Sequence, residues 1–240
     1  MTKPFLHTVL SPRLLDIYDV NNSVVVIIDV FRATSTIATA LYNGAAKVIP
    51  VDAVDKCIAI GNATSNSITA GERDGKVIEG LQYGNSPAEY SRQFIEGKTL
   101  VLTTTNGTKL LHMALANGAS DIVTGSFPNL EAVSSYLIQQ KKNVFLGCSA
   151  WKDRFNLEDT LFAGAVIEQV KKYFTIHCDG SLMAEQMYQL HKNDMYSFAR
   201  KTTHWHRLSK FGLEKDLEYC VTPNVANVLP LYKDGNLIIG

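Results

Sequence analysis

Two rhythms alternate along the chain. Short unbroken β-branched runs, such as Val24-Val25-Val26-Ile27-Ile28, read as strands buried on both faces, and stripes of 3.6-residue period between them read as helices. The pattern predicts a strand over 24–28, a helix over 34–42 stopped at Asn43-Gly44, a strand over 47–51, a helix over 53–64 and a strand over 67–70. A polar loop to Ser86 follows, and Pro87 suits the first turn of a helix reaching Phe94.

The same order then returns. Strands are predicted over 99–102, 121–124 and 143–146, with helices over 108–116, 129–139 and 157–172. A shift of 74 residues lays Asn43-Gly44-Ala45 on Asn117-Gly118-Ala119, Asp29 on Thr103, Arg32 on Asn106 and Thr34 on Thr108. We therefore expect an internal duplication, with repeats over 24–95 and 98–172. The implied class is α/β: a three-layer α/β/α arrangement around a largely parallel or mixed sheet. From His177 onward the pattern is helix-rich, and Asp234-Gly235 between two apolar runs signals a terminal β-hairpin. No Pro- or Ser-rich linker precedes this segment, so residues 177–240 are expected to pack on the core of a single unit spanning 1–240.

Composition narrows the class of function. A chain of 240 residues with 46% hydrophobic content can bury a core without staples. Its four cysteines, Cys57, Cys148, Cys178 and Cys220, form no CxxC pair and read as reduced thiols. Lys+Arg and Asp+Glu are both 23, so no long-range field draws the protein to nucleic acid or an anionic membrane. The first 30 residues show no signal-peptide pattern and the apolar runs are too short for a span, which gives the expectation of a cytoplasmic protein. A homo-oligomer is compatible with all of this.

In open α/β folds ligands gather at the carboxyl ends of strands, where Asp29, Glu72, Thr103 and Cys148 fall. Arg32 immediately precedes a helix, against the positive end of its dipole, a placement costing about 0.3–1 kcal/mol unless an anion sits there too. A simple Asp29–Arg32 pair is the plainer reading. Phe31 occupies the place of the second aspartate of a haloacid-dehalogenase-type phosphatase, which disfavours that family. Gly71-Glu72-Arg73-Asp74-Gly75, followed by Gly84-Asn85-Ser86-Pro87, lets backbone amides approach a ligand, although a capped surface loop would look similar.

Thr103-Thr104-Thr105-Asn106-Gly107-Thr108 offers neutral donors at a helix start, suited to phosphate or sulfonate oxygens or to an ordinary turn. No Walker loop is present. Cys148 and Arg154 have the spacing of cysteine-based phosphatases but lack the glycines of a phosphate-wrapping loop, so we place Cys148 in the site wall and not as the attacking group. Asn156-Leu157-Glu158-Asp159 reads as a cap and first-turn acids, with Asp159 a metal ligand if the helix faces the crevice. His204 and His206 do not share a helix face and are rejected as a metal pair.

Taken together, IDVFRATSTI, GERDG with GNSP, TTTNGT, and Cys148 followed by NLED and AG resemble the 2-phosphosulfolactate phosphatase (ComB) family. The resemblance runs over 24–164, with weaker agreement over 216–230. It implies a Mg²⁺-dependent phosphatase of cytoplasmic acid metabolism whose partner is a small anionic phosphorylated substrate. By motif it implies Asp29, Arg32, Glu72, Arg73 and Cys148 as catalytic candidates. Asn85, Ser86, Thr105, Asn106 and Thr108 become substrate-binding candidates, and Asp29, Glu72 and Asp159 metal ligands. The chain departs from the family pattern at Phe31, at Asp74 and over 149–153, which is less glycine-rich. A non-catalytic sensor of phosphorylated acids would keep the arginines and threonines but not need the three carboxylates, and a nucleotide enzyme should carry a nucleotide loop.

Overall fold

The computed structural model describes residues 2–73, 75–104 and 107–240. In chain order the strands are β1 (Leu6–Val9), β2 (Val24–Ile28), β3 (Lys47–Val51), β4 (Ser67–Arg73), β5 (Lys76–Val77), β6 (Thr99–Thr103), β7 (Asp121–Gly125), β8 (Val144–Cys148), β9 (Pro230–Lys233) and β10 (Asn236–Ile239). The helices are α1 (Ala33–Tyr42), α2 (Val54–Ala63), α3 (Arg92–Ile95), α4 (Gly107–Ala116), α5 (Leu130–Gln140), α6 (Leu157–Val170), α7 (Asp179–His191), α8 (Met195–Ala199), α9 (Thr203–Leu208) and α10 (Glu214–Cys220). The strands join in the order β1-β8-β2-β7-β9-β10-β3-β6-β4-β5.

Strands β1, β8, β2 and β7 run parallel, as do β3, β6 and β4. The hairpin β9–β10 lies between these sets, and its pairings to β7, within itself and to β3 are all antiparallel. Three reversals turn one parallel set against the other. The carboxyl ends do not share one edge of a single parallel sheet, as the sequence suggested. Residues from the carboxyl halves of both sets nonetheless border one small apolar cavity, with Ile27 and Thr124 from one set and Pro50 and Leu102 from the other. β2 lies between β7 and β8, while β6 lies between β3 and β4, so the first strand of each sequence unit sits inside the other unit.

Alternation along the central strands divides the core into two layers. Val24, Val26 and Ile28 pack with Leu130 and Val133 of α5 and with Leu161 and Val166 of α6, and Val25 and Ile27 pack on the opposite face against Leu110 and Ala114 of α4. In the other half Leu100 and Leu102 meet Ile37 and Leu41 of α1, whereas Val101 meets Cys57 of α2. Each fully buried Leu, Ile or Val contributes about 1.5–3 kcal/mol. The result is the expected three-layer α/β/α fold, and Ala184, Trp205 and Leu217 join the helices of the C-terminal segment to the larger core.

Some boundaries differ from the sequence reading. The predicted helix from Pro87 to Phe94 is broken into a 3-10 turn, Pro87–Glu89, and the short α3, because Tyr90 is buried between them with its hydroxyl donating to the Gly84 carbonyl at 2.7 Å. Strand β4 continues to Arg73, since β5 pairs with Glu72 and Arg73. The terminal hairpin is not peripheral but bridges the halves. Strand β1, four residues interrupted by His7, was not legible from periodicity. Among the described residues no helix is long and apolar enough to cross a membrane.

Candidate active site

Where the carboxyl ends converge, a cavity of about 220 Å³ is lined by Asp29, Arg32, Glu72, Arg73, Asn85 and Thr104, and further by Phe31, Gly75, Trp151, Lys152, His204, Arg207 and Leu208. Asp29 follows β2 and Thr104 follows β6, so the loops leaving the two central strands face one space. Strand β6 extends through Thr103, whose hydroxyl is buried, and Thr104 is the residue that reaches the cavity.

Thr34 fixes the Asp29 backbone at the start of α1: its Oγ1 donates to the Asp29 carbonyl at 2.8 Å and faces the Asp29 amide at 3.1 Å. The carboxylate is then presented where little water reaches it. Burial pushes the Asp29 carboxyl up to about 6, with Glu72 and Glu158 adding to the rise and His204 and Arg32 opposing it. Arg32 does not pair with Asp29. It occupies the N-cap of α1, and its Nη1 donates to Asp216 Oδ2 at 2.8 Å, both side chains being buried. Asp216 comes from α10 and accepts a second bond from Ser86 Oγ at 2.8 Å. Arg32 is therefore held by an acid from the C-terminal segment, which also offsets its unfavourable place at the helix start.

Glu72 and Arg73 end β4 beside the cavity. Gly71 makes this possible, since a Cβ there would lie 2.5 Å from Thr103 Cγ2 and 2.8 Å from the Thr103 carbonyl. The turn into β5 needs Gly75, at φ +81°, whose amide donates to Glu72 Oε2 at 2.7 Å. Asn85 lines the same cavity, with its Oδ1 buried and unpartnered among the described residues. The donors fit a hard cation: the carboxylate residues Asp29 and Glu72 line one space, and Mg²⁺ characteristically takes one or two carboxylates and keeps several waters. Among the described residues no group of three His, Cys, Asp or Glu side chains could hold a metal ion.

Four sequence candidates are placed elsewhere. Cys148 ends β8 fully buried outside the cavity lining, and burial raises its thiol well above the ordinary range, opposite to what a thiolate nucleophile needs. Asp159 is also buried; its two oxygens accept from the amides of Val30 at 2.9 Å and Ala150 at 3.3 Å, tying together the loops after β2 and β8. It braces the loops beside the site and is not among the residues that line the cavity. Ser86 caps the turn at Pro87 and holds Asp216. Thr108 donates to the Thr104 carbonyl at 3.0 Å and lines the small apolar cavity. Thr105 and Asn106 lie outside the described residues, as does Asp74.

Sequence reasoning missed the far wall. His204 Nδ1 meets Glu158 Oε1 at 2.5 Å, so the first-turn acid of α6 orients a cavity histidine that the sequence presents only as a rejected metal partner of His206. Glu158 Oε2 has no partner among the described residues. Trp151 and Lys152 enter from a turn in which Ala150, Lys152 and Asp153 have φ of +58°, +51° and +61°. Left-handed backbone costs about 1–2 kcal/mol at each non-glycine residue. The one available signal was the low glycine content of 149–153, which the sequence reading took only as a departure from pattern.

A family model for 2-phosphosulpholactate phosphatase matches residues 9–235. A protein of Thermotoga petrophila named as a probable 2-phosphosulfolactate phosphatase is 39% identical over 214 residues, covering 89% of this chain and 91% of its own. Proteins with the same name from Caldanaerobacter subterraneus subsp. tengcongensis and Clostridium perfringens strain 13 are 33% and 32% identical. The first covers 96% of each chain, the second 97% of this chain and 95% of its own.

Proposed function

Since the chain belongs to the 2-phosphosulfolactate phosphatase family, whose members are phosphoric monoester hydrolases, we propose that it hydrolyses 2-phosphosulfolactate, or a closely related phosphorylated hydroxy-acid, with Mg²⁺ as cofactor. One observation carries this reading: Asp29 and Glu72 line the same cavity as Arg32 and Arg73, at the meeting point of the strand ends. A phosphate ester that also bears carboxylate and sulfonate needs cations locally, because the protein as a whole has no net charge.

Asp29 and Glu72 are the residues that would hold the cation, and Asn85, whose Oδ1 is buried without a partner among the described residues, lines the same cavity. A cation held by these residues would supply charge compensation for a phosphoryl group. Arg32 cannot swing freely, because Asp216 fixes it, so it presents a preset charge to an anion without reordering. Arg73 adds a second guanidinium from the β4 edge. Phosphate release from phosphorylated hydroxy-acids by the purified protein, with Mg²⁺ and after exhaustive chelation, tests both parts. Turnover is expected only with the metal. Equal turnover after chelation removes the metal, and absence of turnover on every ester favours a sensor.

A further inference from the structure

The cations of the cavity come in two sets. Arg32 and Arg73 belong to the segments that carry Asp29 and Glu72, and so stand with the carboxylates. Lys152 and Arg207 arrive from the turn after β8 and from α9, and both rest on one indole: Arg207 Cζ is 4.0 Å and Lys152 Nζ 4.8 Å from the Trp151 ring centroid. These are cation–π distances. Two cationic side chains held against one ring at the wall of the cavity offer charge-assisted contacts to an anion there.

The turn that delivers Lys152 is built as fixed geometry. Trp151 and Arg154 exchange amide-to-carbonyl bonds, both 2.9 Å, closing a two-residue turn whose central residues, Lys152 and Asp153, are both left-handed. Glycine or asparagine is the usual occupant of such positions, yet here one carries a lysine. The Asp153 carboxylate is clamped between Lys109 Nζ at 2.5 Å and Arg13 Nε at 2.9 Å, and its carbonyl accepts from Ser11 Oγ at 2.9 Å. Behind it, the Ala150 amide donates to Asp159. A disfavoured backbone persists only where its surroundings over-determine it, and such places concentrate at ligand clamps.

We propose that Lys152 and Arg207, mounted on Trp151, form a second anion site that receives the non-phosphoryl anionic group of the substrate, its carboxylate or sulfonate, and so sets selectivity. This rests on the phosphatase reading of the cavity. Asp29, Glu72 and their arginines then serve the phosphoryl end, and the Trp151 turn measures what is attached to the neighbouring carbon. Phosphate esters without a second charge would lack this contact.

The test is a matched series on the full-length protein: isopropyl phosphate, 2-phospholactate and 2-phosphosulfolactate, which carry none, one and two additional anions. Lys152→Met keeps the stem of an exposed side chain and removes its charge. The ratio of kcat/KM for 2-phosphosulfolactate to that for isopropyl phosphate should fall about tenfold, the size of a charge-assisted contact, mainly through KM. Lys152→Arg should restore it. Comparison of the two charged esters identifies which anion is read. An unchanged ratio, whether through equal loss on all esters or loss on none, overturns the proposal. A binding arm separates this from failure of the phosphatase reading: calorimetry with sulfolactate, which has no phosphate, should show affinity weakened about tenfold by Lys152→Met. If wild-type protein hydrolyses no ester, the phosphatase reading falls, and unchanged sulfolactate binding in the variant overturns the second anion site.

Discussion

Arg32 and Asp216 are 184 positions apart in the chain, and their side chains meet at 2.8 Å in a buried ion pair. The pair explains why a helix-rich C-terminal segment is needed by a site whose motifs lie in the first two-thirds of the sequence. Asp216 also holds Ser86, so the loop before α1, the turn at Pro87 and α10 are joined through one carboxylate.

Replacing Asp216 by Ala leaves Arg32 buried without its partner. A loss of about 3–5 kcal/mol in unfolding free energy is expected, against a smaller loss for Asp216→Asn, which retains an acceptor. Urea denaturation of both variants checks the order. Near-equal stability of wild type and Asp216→Ala would mean that Arg32 finds another acid.

Cys148 provides the opposite case, a site candidate that the fold keeps out of contact with the cavity. Cys148→Ala should cost about 1 kcal/mol for lost packing and leave most of the phosphatase activity in place. Its thiol should resist alkylation in the folded protein and react once urea unfolds it, because burial holds it protonated. Rapid alkylation of native Cys148 accompanied by inactivation would return it to the chemistry.

Much of the frame was legible because buried parallel strands announce themselves. Val24–Ile28 and the run at 99–102 are continuous apolar segments, and glycine follows the helices at Asn43 and Asn117. Asp29, Arg32, Glu72 and Arg73 were legible for the same reason: each follows or ends a recognisable strand. Direction was not. Nothing in the apolar pattern tells that β9–β10 inserts between the halves through one antiparallel pairing on each side and so reverses one against the other. His204, Arg207 and Asp216 were out of reach because their helices are short and their role depends on which distant loop they meet. Thr103 was off by one because a strand ending in threonine gives no apolar boundary.

Gly71→Ala tests how the β4 edge is held at the cavity. The added methyl would lie 2.8 Å from the Thr103 carbonyl, a backbone atom that moves only if β6 moves. A destabilisation of about 1–3 kcal/mol is expected from overpacking, together with loss of activity as Glu72 and Arg73 shift. A normal melting temperature with normal turnover would show that the two strands separate without cost.

Asp29 gives the pH dependence its sign. The folded protein holds this carboxyl up to about 6, whereas its ordinary value is 3.8. Below the ordinary value both folded and unfolded chains are protonated and no penalty exists. As pH rises through the folded value, the native state must carry a buried charge that the unfolded chain carries freely, and stability is lost. The shift corresponds to about 3 kcal/mol at pH 8 without metal. Asp29→Asn removes the charge, so the chelated variant should unfold at higher denaturant than wild type at pH 8, with the difference fading toward pH 4. The order should narrow or reverse on adding Mg²⁺, because the cation stabilises the ionised carboxylate of wild type and has lost that ligand in the variant. Protons compete with the cation for the same carboxylate, so Mg²⁺ binding and turnover in wild type should weaken below pH about 6. Titration calorimetry at pH 5 and pH 8 measures this directly. Equal Mg²⁺ affinity at both values would show that Asp29 is not the cation's ligand, and an Asp29→Asn variant no more stable than wild type in chelator at pH 8 would show that Asp29 is not the strained carboxylate.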